Sequence, residues 1–208
     1  MVGQAIGTKL VQLGHHVTMG SRTPDNQNAG RWAKKNGVNA SQGTFAETAT
    51  LSEWVFLCTK GEATLEVIHS VGAAAFDGKV VVDVSNALDF SDTPPTLLIC
   101  NTDSLGEQVQ KALPHAQVVK TLNIVNCEVM VDPIKAGEPT MLMSGNDAEA
   151  KARVVTLLKS FGWKDIIDLG GIKTARGTEM LLPAWLSLWN VIGNTHFGFK
   201  LVGRRKSE

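Results

Sequence analysis

Val2, Ile6, Leu10 and Leu13 recur at helical spacing from the first residues onward, and Gly14 closes the pattern. Residues 16–20, HVTMG, then read as a short strand, and residues 26–37, NQNAGRWAKKNG, as a helix stopped by Gly37. A near-continuous apolar run in LSEWVFLCTKG (51–61) marks a strand covered on both faces. EATLEVIHSVGAAAF (62–76) reads as a helix, and GKVVVDVSNAL (78–88) as a second doubly buried strand. DFSDTPPT (89–96) reads as a turn-rich surface loop, DSLGEQVQKALP (103–114) as a helix and AQVVKTLNIV (116–125) as a strand. Strands alternating with helices in this way predict an α/β fold with a doubly wound, mostly parallel sheet.

The pattern changes after residue 145. EPTMLMSGND (138–147) reads as a strand and turn, with Asp147 placed to cap the helix over 148–162. DIIDLG (165–170) is a last short strand. Residues 174–200 predict one long apolar helix, bent or interrupted near Pro183. Its apolar face suits either the core of its own chain or a second subunit. Residues 1–145 are therefore expected to form the main layered domain, and residues 146–208 a helix–strand–helix part that closes its pocket.

Composition narrows the function classes. The 208 residues are 43% hydrophobic, enough for a sizeable core, and Lys+Arg 20 balances Asp+Glu 20. That balance argues against bulk attraction to nucleic acid or to an anionic membrane. Three widely spaced cysteines, Cys58, Cys100 and Cys127, suit reduced thiols in the cytoplasm better than a disulfide framework or a metal site. The apolar stretch 180–193 is broken by Pro183 and Asn190, so a buried helix is expected there rather than a membrane span.

Gly3 and Gly7 stand one turn apart on the first helix. Alone, such a pair marks close helix packing as readily as a ligand turn. In nucleotide-binding sheets, though, the third glycine of Gly-x-Gly-x-x-Gly lies just inside the first helix, whose N-terminus favours a pyrophosphate. Gly3 fits that place. About twenty residues on, the end of the next strand meets the adenosine ribose, where an acid selects NAD. Here Ser21 and Arg22 stand instead, a hydroxyl and a guanidinium suited to the 2′-phosphate of NADP.

These residues are joined by VFLCTKG, VVVDVSNAL, VVKTLNIV, SGNDAEAKARV and DIIDLGGIKTARGTEML, in that order. Together they make the chain resemble the deazaflavin-dependent (coenzyme F420-dependent) NADP oxidoreductases and their bacterial relatives. The resemblance implies a Rossmann-like sheet with a short C-terminal helical part, and NADP(H) as cofactor. It places Val2, Gly3 and Gln4 at the pyrophosphate and Ser21 and Arg22 at the 2′-phosphate. It sets Cys58, Thr59 and Lys60 along the ribose and nicotinamide side, with Ser85 and Asn86 near the nicotinamide. Asn123 and Ile124 would wall the hydride-acceptor pocket, and the segment containing Lys173 and Thr174 would close it. The strand and first two glycines of the family fingerprint would lie ahead of Met1. The expectation is that this sequence starts at an internal methionine; if it is whole, NADP binding should be weak.

Hydride transfer between a nicotinamide and a flavin or deazaflavin requires two stacked rings and no dedicated side-chain acid. Carbonyl reduction usually does use one, and the chain has no tyrosine. Lys60 and Lys173 are the candidate catalytic donors, with Lys120 and the five histidines as further acids. The residues and the resemblance together imply an NADP-dependent oxidoreductase transferring a hydride between NADP(H) and a deazaflavin or flavin-type small-molecule acceptor. A homodimer through the last helix is one of the two uses its apolar face allows, the core of its own chain the other. An imine or carbonyl reductase with a lysine donor, and a non-catalytic NADP(H)-binding sensor, are the alternatives.

Overall fold

The structure, a computed structural model, describes residues 1–91 and 93–203. Position 92 of the expected surface loop and positions 204–208 of the expected C-terminal part lie outside the described residues.

Helix α1 (Val2–Gln12) buries Ile6 and Leu10 on one stripe. Strand β1 (Val17–Ser21), helix α2 (Gln27–Asn36), strand β2 (Ala40–Thr44) and helix α3 (Phe45–Leu51) follow. The hydrophobic pattern predicts neither β2 nor α3. β2 reads Ala-Ser-Gln-Gly-Thr and offers no large apolar residue. α3 is fixed by a reciprocal cap: the Glu47 amide donates to Thr44 Oγ1 at 3.1 Å, and the Thr44 amide donates to Glu47 Oε2 at 2.7 Å.

Strand β3 (Trp54–Leu57), helix α4 (Gly61–Val71) and strand β4 (Val80–Asp83) come next. The helix expected over 62–76 stops at Gly72, whose φ of 90° only glycine adopts freely; a 3-10 turn covers Ala73–Phe76. The strand expected over 78–88 keeps only its buried valines and Asp83. Leu88 and Asp89 instead form β5 of a small antiparallel hairpin with β6 (Thr96–Leu97).

Helix α5 (Leu105–Ala112), strand β7 (Gln117–Thr121), helix α6 (Cys127–Val131), strand β8 (Met141–Gly145), helix α7 (Ala148–Ser160) and strand β9 (Ile166–Asp168) complete the sheet region. Asp147 caps α7 as expected, its carboxylate accepting from the Ala150 amide at 2.7 Å. The long helix expected over 174–200, bent or interrupted near Pro183, is broken just ahead of that proline into α8 (Ala175–Met180) and α9 (Leu182–Ile192), and it ends before residue 200. Pro183 sits in the first turn of α9, where its missing N–H leaves no bond unmade, and Gly193 ends the helix in a left-handed turn. His196 therefore lies beyond the helix.

Strands β3-β4-β7-β8-β9 form a five-stranded sheet in that order, parallel throughout except between β7 and β8. β1 and β2 pair in a separate parallel ribbon. Among the described residues, β1 and β3 each keep one edge without a strand partner. Helix α1 lies over both pieces: a Cβ at Gly3 would meet Cys58 Cβ at 3.4 Å and Met19 Sδ at 3.5 Å.

The core follows the two-residue period of the strands. Val80 and Val82 join Ile6, Val129, Val154 and Leu158 on one face; Val81 joins Ile68, Leu105 and Val109 on the other. Each such buried valine stabilises the fold by roughly 1.5–3 kcal/mol relative to exposure. A third, smaller cluster packs Leu182 and Trp185 of the C-terminal helices on Leu88 of the hairpin. Among the described residues no helix is long and apolar enough to cross a membrane.

Candidate functional site

β3, β4 and β7 are parallel neighbours, so their carboxyl ends open side by side, where ligands of such sheets bind. The residues just beyond those ends carry most of the predicted site. At the end of β1, the Ser21 hydroxyl donates to the Thr23 carbonyl at 2.5 Å. Arg22 is exposed and makes no ion pair with any described residue. Met1 offers α1 no side-chain cap, so the first-turn amides of Val2, Gly3 and Gln4 have no acceptor within the helix.

At the end of β3, Cys58 is half-buried beneath α1. Burial, and then the charge of Asp83, push its thiol up to about 12, so it stays protonated at neutral pH. The Thr59 and Thr64 hydroxyls lie 2.8 Å apart across the start of α4. Lys60 points outward, its side chain 82% exposed and its ammonium 3.7 Å from Glu62. Gly61 is there for space. A Cβ on it would fall 2.2 Å from both backbone atoms of the Asn86 carbonyl and 2.5 Å from the Ala87 nitrogen.

The ends of β4 and β7 meet through two side-chain amides. Asn86 Nδ2 donates to the Asn123 carbonyl at 2.8 Å, and Asn123 Nδ2 donates to Asn86 Oδ1 at 3.1 Å and to the Thr178 carbonyl at 3.4 Å. Ser85 and Ile124 are buried on either side of this pair. Lys173 is exposed, and Thr174 turns toward β8, its hydroxyl 2.7 Å from Ser144 Oγ. The structure thus brings Ser85, Asn86 and Asn123 together and leaves Lys60 and Lys173 in solvent.

Beneath the amide pair lies an ionic cluster that the sequence pattern shows only in part. Lys120 of β7 is 1% exposed, and its ammonium donates to Asp83 Oδ2 at 3.0 Å and to the Ser85 carbonyl at 2.6 Å, with Glu179 Oε1 at 3.1 Å. Asp83 Oδ1 accepts both the Ser85 amide, at 2.9 Å, and the Ser85 hydroxyl, at 2.5 Å. Glu179 of α8 accepts the Leu105 and Gly106 amides at 2.8 and 2.9 Å, capping α5 from outside. Burial alone would lower the Lys120 pKa; Asp83 and Glu179 outweigh it and hold the ammonium charged. Asp83 is visible in the sequence as a lone acid in a valine strand. Nothing in the sequence pairs Lys120 with Glu179, which reaches it only through the packing of α8.

A family model described as NADP oxidoreductase, coenzyme F420-dependent, matches residues 1–87. A candidate F420-dependent NADP-reductase from Arthrobacter sp. FB24, known from its crystal structure, is 46% identical and superposes with a TM-score of 0.93, covering 97% of this chain and 95% of its own. The F420-dependent NADP reductase of Methanocaldococcus jannaschii is 29% identical over 68% of this chain and 64% of its own length. The metalloreductase STEAP3 of Rattus norvegicus is 28% identical over 88% of this chain and 35% of its own length. The chain spans less than two thirds of these two curated relatives. The likeness to the Arthrobacter structure runs almost end to end in both chains, and the family model's span of residues 1–87 takes in the α1 glycines, Ser21–Arg22 and the strand ends at Cys58–Gly61 and Ser85–Asn86. The chain belongs to the coenzyme F420-dependent NADP oxidoreductase family.

Proposed function

We propose that this protein is an NADP-dependent oxidoreductase that transfers a hydride between NADP(H) and a deazaflavin or flavin-type acceptor. The observation that carries the reading is the free guanidinium of Arg22 beside Ser21, at the carboxyl end of β1. An exposed arginine without an internal carboxylate, at the place where such sheets meet the adenosine ribose, suits a 2′-phosphate held through two N–H donors.

The other groups fit the rest of a dinucleotide. The uncapped first turn of α1 offers the Val2, Gly3 and Gln4 amides to a pyrophosphate. The backbone of Cys58, Thr59 and Lys60 runs along the cleft toward Ser85. The half-buried Asn86 shares one amide hydrogen and one lone pair with Asn123 and keeps one of each for a carboxamide. When bound, the nicotinamide supplies the hydride chemistry. The protein's part is to orient the ring and exclude water at the Asn86–Asn123 wall, with α8 closing over it through Thr178.

A lysine-assisted imine or carbonyl reduction fits less well, because Lys60 and Lys173 both stand in solvent. A second subunit covers α9 in this reading, since Leu188, Trp189, Val191 and Ile192 of that helix are exposed. Three free cysteines suit a reducing cytoplasm.

The test is NADPH oxidation followed against a deazaflavin, FMN and a panel of imines and carbonyls. Turnover is expected with the ring acceptors and should survive Lys60→Met and Lys173→Met to within about threefold. Binding of NADPH without turnover on any acceptor would make the protein a sensor. Loss of turnover on either lysine substitution would restore the lysine-donor reading.

A further inference from the structure

Hydride transfer as proposed makes no direct use of Lys120, Asp83 or Glu179, yet these ionisable groups are buried at the heart of the strand-end region. We propose that Lys120 is a positioning residue for the ring-binding pocket: its ammonium holds the Ser85–Asn86 segment and helix α8 in the arrangement that forms the pocket wall. The proposal rests on reading the strand-end cleft as the hydride-transfer site.

An ammonium has three hydrogens, and each has an acceptor here: a carboxylate oxygen of Asp83, the Ser85 carbonyl and a carboxylate oxygen of Glu179. These acceptors belong to different pieces of the fold. Asp83 ends β4 and Ser85 lies two residues beyond it, whereas Glu179 comes from α8 and also clasps the start of α5. Each of the two anchored segments runs directly into the amide pair. Asn86 follows Ser85 in the chain. Thr178 precedes Glu179, and its carbonyl accepts from Asn123. Moving the ammonium therefore moves Asn86 from one side and the Thr178 acceptor of Asn123 from the other.

Stability alone does not account for the cluster. A buried ion triad is often matched or exceeded in stability by apolar residues of similar volume, because removing charges from water is costly. Lys120 sits in a strand whose neighbours Val118 and Val119 are fully buried, so an apolar residue would fit the pattern there. What the triad adds is direction: three acceptors fixed at 2.6–3.1 Å around one nitrogen. Ring-to-ring hydride transfer depends on that kind of precision, since a misplacement of about 1 Å costs on the order of a hundredfold in rate.

The test compares the unaltered protein with Lys120→Met, with the charge-free triple variant Asp83→Asn/Lys120→Met/Glu179→Gln, and with Glu179→Gln alone. Lys120→Met strands two buried carboxylates, so folding is checked by thermal midpoint; the triple variant keeps volume without charge, and Glu179→Gln is the mildest change. In every variant that folds, NADPH affinity should stay within about threefold, because Arg22 lies at a different strand end, while kcat falls by about tenfold or more. Amide hydrogen exchange without any cofactor should quicken over residues 85–88 and 122–125 in the same variants, with little change at α2 or α7. An unchanged kcat, unchanged exchange at those segments, or losses of NADPH affinity and kcat that both track the thermal midpoint would overturn the proposal. The exchange measurement reads Lys120 even if the unaltered protein fails to turn over, so the failure of the functional reading and that of the positioning role remain distinguishable.

Discussion

Asn86 and Asn123, from the ends of two neighbouring strands, hold each other by two bonds of unequal kind. Asn86 Nδ2 donates to the backbone carbonyl of Asn123 at 2.8 Å, and the Asn123 side chain donates back to Asn86 Oδ1 at 3.1 Å. Asn86→Ala removes both bonds; Asn123→Ala removes the return bond, and with it the longer contact to Thr178, but leaves the carbonyl in place. At about 1 kcal/mol for each bond within the pair, and little for the 3.4 Å contact to Thr178, Asn86→Ala should cost roughly 2 kcal/mol and Asn123→Ala nearer 1. Urea unfolding midpoints check the order. In both variants kcat should fall more than NADPH affinity, since the proposed function puts the pair at the ring end of the cleft.

Gly61 sets how closely α4 approaches that pair. Its hydrogen stands where a Cβ would overlap the Asn86 carbonyl at 2.2 Å and the Ala87 nitrogen at 2.5 Å, all backbone atoms that cannot rotate aside. Gly61→Ala must push the 85–88 segment away from α4. The expected cost is about 3 kcal/mol, the upper end of ordinary overpacking, together with a loss of turnover. Gly177→Ala is a control, since a Cβ there meets nothing within 4 Å.

Arg176 grips Glu107 with Nε to Oε2 at 2.7 Å and a second guanidinium N–H to Oε1 at 2.6 Å, joining α8 to α5. The hydrogen bonds from Arg176 are the main reason the Glu107 carboxyl titrates below its ordinary 4.5, against a smaller opposing effect of burial. A carboxyl depressed by folding contributes stability that is present above its unfolded pKa and is lost as the pH falls through its folded one. Glu107→Gln should therefore lower the urea midpoint at neutral pH, and the gap to the unaltered protein should narrow as the pH drops below 4.5. A gap that stays constant across that range would contradict the assignment.

What could be read from the sequence follows from how each element is stabilised. β4 and β7 show themselves because valines buried on both faces leave a continuous apolar run. β2 is silent because a strand of Ala-Ser-Gln-Gly-Thr is held by pairing to β1 and carries almost no buried apolar surface. The Thr44–Glu47 cap was the available signal for α3. The split between α8 and α9 was legible in Pro183, and the end of α9 in Gly193, which closes the helix in a left-handed turn; residues 194–200, only two of them large and apolar, leave the helix and pack Phe197 against Trp185 at 4.9 Å. Asn86 and Asn123 were legible as single residues, through the resemblance. Their mutual bonds were not, and neither was the ion cluster around Lys120, because its partners lie 37 residues before it and, in Glu179, on a helix far along the chain.

The Ser21–Arg22 pair carries the central claim, and calorimetric titration tests it most directly. NADPH and NADH are titrated into the unaltered protein and into Arg22→Glu under the same low-salt conditions. A lost charge-assisted phosphate contact is worth about 1.5–3 kcal/mol, so the unaltered protein should favour NADPH by roughly ten- to a hundredfold. Arg22→Glu should abolish that preference while leaving NADH binding nearly unchanged. Equal affinity of the unaltered protein for the two nucleotides would contradict the account.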